Sequence, residues 1–206
     1  MFIGKYNKSV ILTYVGVTVS IVGIALAINR NTSFAMLCLI VAGICDLFDG
    51  AVARMMKRTE EEKSFGVQID SLADMVGFVA LPITIFYSMG LNSIYHTGLY
   101  ALYALCAITR LGYFNISVAG VMTEEPIKYY SGLPVTYAAL IFPLVWLVSF
   151  VSAGNIFTIV FTVAIALVAL LFVLNIKIPK PRGAAYIFFL ALALGMSSFI
   201  IYRGLN

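Results

Sequence analysis

The stretch FAMLCLIVAGICDLFDGAVAR, Phe34 to Arg54, is an unbroken apolar run that ends in two aspartates, a glycine and an arginine. Shortly after it comes GVQIDSLAD, Gly66 to Asp74, which adds two more aspartates at the head of the next apolar segment. An apolar run of this length reads as a helix able to cross roughly 30 Å of hydrocarbon. A lipid-facing surface does not tolerate four carboxylates, so these side chains must face an interior volume.

The rest of the chain agrees with a membrane setting. Of its 206 residues, 62% are hydrophobic and 11% charged, and the mean hydropathy is +1.03. A soluble domain of this size needs more charge to cover its surface. Apolar blocks predict seven spans: Val10–Ile28, Phe34–Ala53, Phe65–Met89, Gly98–Val118, Leu133–Val151, Ile156–Leu174 and Ala184–Tyr202. The expected fold class is an all-α integral membrane protein, a polytopic bundle of about seven spans forming one membrane-embedded domain over residues 1–206. The Pro- and Gly-rich region Tyr129–Pro143 leaves room for a short or broken extra helix. No small-residue cleavage site follows the first apolar run, so that span reads as a retained helix, with MFIGKYNK as a short surface anchor. Cys38, Cys45 and Cys106 all fall inside spans and read as small apolar side chains, without metal-ligand spacing. His96 reads as a solvated residue of a short outer loop. Trp146 and the tyrosines read as interface belts or helix packing, and KIPKPRG as a proline-broken connector.

Charge sorts along the seven-span path. Lys5, Lys8, Arg54, Lys57, Arg58, Lys63, Lys128, Lys177, Lys180 and Arg182 fall on the side of the N-terminus, against Arg30 and Arg203 on the other; Arg110 lies within a span. That bias makes the N-terminal side cytoplasmic. Glu60, Glu61, Glu62, Glu124, Glu125 and all four aspartates sort to the same face. The net charge of +4 then calls for no nucleic acid; basic residues on the inner leaflet attract anionic lipid headgroups.

On a helix, Asp46, Asp49, Gly50 and Ala53 share one face, as do Gly66, Asp70 and Asp74 on the next. The short connection Met55–Phe65 makes these helices antiparallel neighbours, so the faces can meet. Each carboxylate at membrane depth costs about 2.5–3.5 kcal/mol on insertion scales, and four together repel. Protonation would relieve this, but two hard divalent cations, Mg²⁺ or Mn²⁺ with Ca²⁺ as a further option, neutralise the set better. Ions so paired clamp a phosphoryl group and its leaving oxygen. The plainer alternative is that these residues are helix ends in water, paired with Arg54, Lys57 and Arg58.

The pattern Asp46-x-x-Asp49-Gly50-x-x-Ala53-Arg54, then Gly66-x-x-x-Asp70-x-x-x-Asp74, resembles the motif of the CDP-alcohol phosphotransferases. The resemblance implies displacement of CMP from a CDP-linked lipid by an alcohol, at the cytoplasmic membrane face, with two metal ions. It implies a six-helix core, here with an extra C-terminal span, and a homodimer. Carried over residue by residue, Asp46, Asp49 and Asp70 hold one metal and Asp46, Asp70 and Asp74 the other. Asp74 is then also the catalytic base, and Asp49, Gly50, Ala53, Arg54 and Gly66 meet the CDP-lipid. Two departures stand out. The gap between Arg54 and Gly66 is longer than the family's usual one, with the excess in TEEEK, expected as a bulging charged loop that obscures whether Thr59 or Ser64 touches the nucleotide. Gly16 stands in the first span where many relatives carry an asparagine.

Two later stretches bear on the acceptor. ITRLGYFN, Ile108–Asn115, places Arg110 and Asn115 in span four, and YYSGLPVTYA opens span five. They look like the R-L-x-x-F-N and G-L-P elements of phosphatidylserine synthases, which use CDP-diacylglycerol and L-serine. One arginine suits one carboxylate through a bidentate fork, whereas glycerol phosphate or inositol phosphate calls for several basic residues, and choline for an aromatic cage. Arg110 and Asn115 are therefore the candidate acceptor contacts, with an ion pair to the aspartates or snorkelling as Arg110's bland alternative. A metal or proton transporter is the competing class, against which the aspartates cluster at one face rather than form a relay across the bilayer. A prenyl transferase needs a second distant aspartate motif, and no aspartate follows Asp74.

Overall fold

The computed structural model describes residues 3–120, 129–147, 150, 154–179 and 184–205. Its helices are α1 (Ile11–Ile28), α2 (Thr32–Met55), α3 (Glu60–Met75), α4 (Leu81–Ser88), α5 (Ile94–Gly120), α6 (Ala138–Leu147), α7 (Asn155–Val173) and α8 (Ala184–Leu205). Five helical segments are long and apolar enough to cross a membrane: Lys8–Ile28, Thr32–Met55, Glu60–Ser88, Ile94–Ile116 and Asn155–Val173. Val135–Leu147 and Phe189–Tyr202 are shorter apolar helices. Each of the seven expected spans thus holds a helix, and the protein is a polytopic helical membrane protein.

What the helices show to the outside is apolar. Leu102, Leu105 and Ile108 on α5 are each more than half exposed, as are Ile159, Leu167 and Leu170 on α7. In water such faces would be a liability; in lipid they are the solvent-facing surface. The inside is built from small residues and aromatic rings. The buried stripe of α1 is Thr13, Gly16, Ser20, Gly23 and Ala27, which lets α1 lie close along α2. A Cβ on Gly23 would stand 2.7 Å from the Cys38 Cβ.

The third span is one continuous helix with a widened turn, Val76–Ala80, between α3 and α4. Its cause is local. Pro82 sits at the start of α4 and has no N–H for the carbonyl of Phe78. The Tyr103 hydroxyl donates to that carbonyl at 2.6 Å instead, so this acceptor is not stranded in the bilayer.

Four features refine or correct the expectations. First, the all-α fold class holds, and a small ribbon joins the helices: β1 (Tyr129–Ser131) pairs antiparallel with β2 (Lys177–Pro179). The ribbon continues into Gly132 and Leu133, whose N–H groups donate to the carbonyls of Ile176 and Leu171, each at 2.9 Å. Gly132 has φ +77°, and a Cβ there would lie 2.7 Å from the Phe172 carbonyl oxygen; only glycine fits. Second, TEEEK is not a bulging loop. Thr59 caps α3: its hydroxyl accepts from the Glu62 N–H, and the Glu62 side chain accepts from the Thr59 N–H. Thr59 is thereby engaged, and Ser64 is exposed on the helix. Third, His96 lies in the first turn of α5 and bridges Ser93, at 2.7 Å, and Thr162 of α7, at 3.1 Å. Fourth, of the two roles expected for Trp146, helix packing is the one found: it is buried with its ring 5.0 Å from that of Phe150.

The N-terminal arm folds over the α2–α3 connection. Lys5 pairs with Glu61 at 2.8 Å, the Tyr6 ring meets Phe65 edge-on, and the Asn7 amide donates to the Lys57 carbonyl. Glu124, Glu125, Lys128, Lys180 and Arg182, which entered the charge bias, lie outside the described residues.

Candidate active site

Two adjacent helices bring the four aspartates together. Asp46 and Asp49 come from the last turns of α2, Asp70 and Asp74 from the middle and end of α3. One carboxylate oxygen from each of Asp46, Asp49 and Asp70 can be chosen so that all three lie within 4.8 Å of one another. Asp74 faces Asp46 within hydrogen-bonding contact, and Asp49 and Asp74 are buried. Paired carboxylates at this range repel unless a cation or a proton lies between them. The ion pairs formed among the described residues, Lys5–Glu61 and Lys63–Glu60, involve no member of the quartet. Helix ends paired with Arg54, Lys57 and Arg58 are therefore not what the structure contains.

The aspartates line a cavity of about 260 Å³ that also receives Gly50, Arg54, Ser71, Arg110, Phe114 and Tyr130. The guanidinium of Arg54 folds back over Gly50, with Nη1 3.6 Å from where a Cβ would stand. Gly66 plays the same part for Arg58, also at 3.6 Å, and neither Gly66 nor Ala53 lines the cavity. Arg110 is 6% exposed, and its Nε has no hydrogen-bond partner. Its guanidinium rests 5.3 Å from the centre of the Phe114 ring, one helical turn on. Asn115 does not reach the cavity wall; it accepts a 3.0 Å hydrogen bond from Ser71, which does.

Several residues at the site were not foreseen. The Thr13 hydroxyl of α1 donates to Asp49 Oδ2 at 2.8 Å. Thr136, beside α6, stands in hydrogen-bonding contact with Asp46. Tyr130 arrives on the ribbon with its ring 6.3 Å from that of Phe114. Thr13 had one signal in the sequence: it opens the small-residue stripe of α1 and so had to face α2. Tyr130 had none, because its position depends on a pairing between segments far apart in the chain.

The donor set is all carboxylate oxygen, the chemistry hard divalent cations select, and three ligand atoms already lie within one ion's reach. The residues fit such an ion. Gly50 bares the helix backbone beside these oxygens, and Arg54 and Arg110 place positive charge at the same cavity.

Comparison with known proteins agrees. The family model for CDP-alcohol phosphatidyltransferases matches residues 6–197, and the chain belongs to that family. A CDP-diacylglycerol–serine O-phosphatidyltransferase of Saccharomyces cerevisiae is 33% identical over 114 residues, 53% of this chain and 40% of that protein. The archaetidylserine synthase of Methanothermobacter thermautotrophicus is 29% identical over 161 residues, 78% of this chain and 64% of that one. A CDP-diacylglycerol–serine O-phosphatidyltransferase of Helicobacter pylori is 39% identical over 113 residues, 52% of this chain and 44% of its own length. The chain thus spans between two fifths and two thirds of the length of these relatives.

Proposed function

We propose that the protein, acting as one membrane-embedded domain, transfers a phosphatidyl group from CDP-diacylglycerol to L-serine, giving phosphatidylserine and CMP. The observation that carries this is the convergence of four carboxylates from α2 and α3 on one cavity that also holds Arg54 and Arg110. The relatives' names support serine as the alcohol for both acyl and archaeal lipids. The charge bias supports a cytoplasmic mouth for the cavity, and family resemblance supports a homodimer.

In this reading Asp46, Asp49 and Asp70 hold one divalent ion, and Asp46, Asp70 and Asp74 a second, Mg²⁺ or Mn²⁺. When bound, the ions neutralise the diphosphate and make its phosphorus electrophilic. Arg54 pairs with phosphate oxygens over the bare backbone of Gly50, while Ala53 and Gly66 leave the nucleotide room to approach. Arg110 orients the serine carboxylate, and Asn115 acts through Ser71. The serine hydroxyl oxygen attacks the lipid-bearing β-phosphorus as Asp74 takes its proton. The bond from that phosphorus to the bridging oxygen breaks, and CMP leaves with the electron pair.

The test is CMP release by purified protein from CDP-diacylglycerol with Mn²⁺ or Mg²⁺, each alcohol offered in turn. Serine should support turnover. Release with glycerol phosphate or inositol phosphate and none with serine would refute the acceptor, and metal flux into liposomes without CMP chemistry would turn the reading to a transporter.

A further inference from the structure

Arg54 has a counterpart outside the motif. Arg58, in the connection between α2 and α3, lays its guanidinium over Gly66 as Arg54 does over Gly50. Gly66 extends the face of α3 that carries Asp70 and Asp74 by one turn, about 6 Å, toward the start of that helix. Helical side chains lean toward the N-terminus, so Asp70 projects over the turn that begins at Gly66. Three carboxylates follow Arg58 closely in the chain, and each is engaged elsewhere. Glu60 pairs with Lys63, Glu61 with Lys5, and Glu62 accepts from the Thr59 N–H. Arg58 is half-buried and forms no ion pair among the described residues. Its Nε is shielded from solvent and has no hydrogen-bond partner, an arrangement that costs stability until an acceptor arrives.

The N-terminal arm braces this pair. Asn7 donates to the carbonyl of Lys57, the residue before Arg58, and Tyr6 packs its ring on Phe65, the residue before Gly66. An arginine kept apart from three nearby carboxylates, over a glycine that bares the helix backbone, suits a phosphate. We propose that Arg58 is a second phosphate-binding arginine, which grips the α-phosphate of the nucleotide lipid over Gly66. This rests on the reaction proposed above. With Asp74 at the attacked β-phosphorus, the leaving side of the diphosphate lies along α3 toward Asp70 and Gly66. When the bond from the β-phosphorus to the bridging oxygen breaks, negative charge gathers on the CMP phosphate, and Arg58 stabilises it there.

The test is calorimetric titration of CMP into the purified full chain with Mn²⁺, in lipid nanodiscs. Arg58→Gln should raise the dissociation constant for CMP about tenfold, with the thermal midpoint unchanged. Cytidine, which lacks the phosphate, should compete equally well in parent and variant. Lys57→Gln removes the same charge from the exposed neighbour and should leave CMP binding within about twofold. An equal loss in Lys57→Gln, or a matching loss for cytidine, overturns the assignment. So does an effect confined to discs containing phosphatidylglycerol and absent in phosphatidylcholine alone, which gives Arg58 to the headgroups of the leaflet. Should Arg58→Gln fail to fold, Arg58→Lys keeps the charge but loses the fork. Several-fold weaker CMP binding by that variant supports the assignment, and unchanged binding overturns it. A parent protein that releases no CMP from CDP-diacylglycerol with any alcohol overturns the reaction itself. An active parent beside an Arg58→Gln variant that binds CMP as tightly overturns the role of Arg58 alone.

Discussion

The two ends of the bundle solve burial in opposite ways. Around Phe86 the rings of Phe142 and Phe161 meet it edge-on, with centroids 4.7 and 5.6 Å away, and all three are fully buried. Tyr100 and Tyr103 close the cluster, and both hydroxyls are satisfied by backbone carbonyls. Nothing there is left unmatched. Around Asp46 the reverse holds: carboxylates face carboxylates, and a buried guanidinium lacks a partner for its Nε. The aromatic end is arranged for stability, and the unmatched aspartate end is where the proposed ligands would bind.

Substitutions can break this contrast. The largest expected effect is Asp74→Asn, which removes the proposed base and a metal oxygen. Turnover should fall by about 10²–10⁴ or more, while the thermal midpoint without metal stays the same or rises, because one repelling charge is gone. A near-normal rate would end the role assigned to Asp74. Phe86→Ala should act the other way round, costing about 3–5 kcal/mol of stability with little change in rate per folded molecule. Thermal unfolding in detergent beside CMP release separates the two. If Phe86→Ala cut turnover and spared the fold, the division between the ends would be wrong.

Gly132→Ala should cost about 1–3 kcal/mol through its positive φ and its contact with the Phe172 carbonyl. Because it dislodges the ribbon that carries Tyr130 to the cavity wall, it should also lower turnover, which CMP release would detect. Thr13→Val sharpens the comparison most finely. It removes the hydroxyl that orients Asp49, so the Mn²⁺ concentration for half-occupancy, read by electron paramagnetic resonance, should rise about tenfold. Thr13→Ser should restore it. Equal Mn²⁺ binding by the valine and serine variants would reduce Thr13 to packing.

Much of the quartet could be read from spacing alone. Asp46 and Asp49 lie three apart and Asp70 and Asp74 four apart, and α-helical geometry puts each pair on one face whatever surrounds it. The short connection returns the chain, and α1, which contacts both helices, holds the two faces across a shared cavity. Thr59 shows where linear reading failed: a charged TEEEK looked like loop, yet threonine followed by glutamate three residues on starts a helix. The ribbon was harder. β1 and β2 are separated by α6 and α7, and short strands carry no periodicity that outweighs their neighbours.

Segment by segment, the amino-acid order determined that this chain lives in a bilayer, which runs are helices, and that two of them share a cluster of acids. Those properties follow from hydrophobicity and helical pitch, which act over a few turns. Only the tertiary structure decided that Thr13 and Thr136 would attend the acids, that Tyr130 would join Arg110 at the cavity wall, and that Arg58 would lie over Gly66. Such placements depend on contacts between residues remote in the chain, and no local rule of spacing encodes the distance between them.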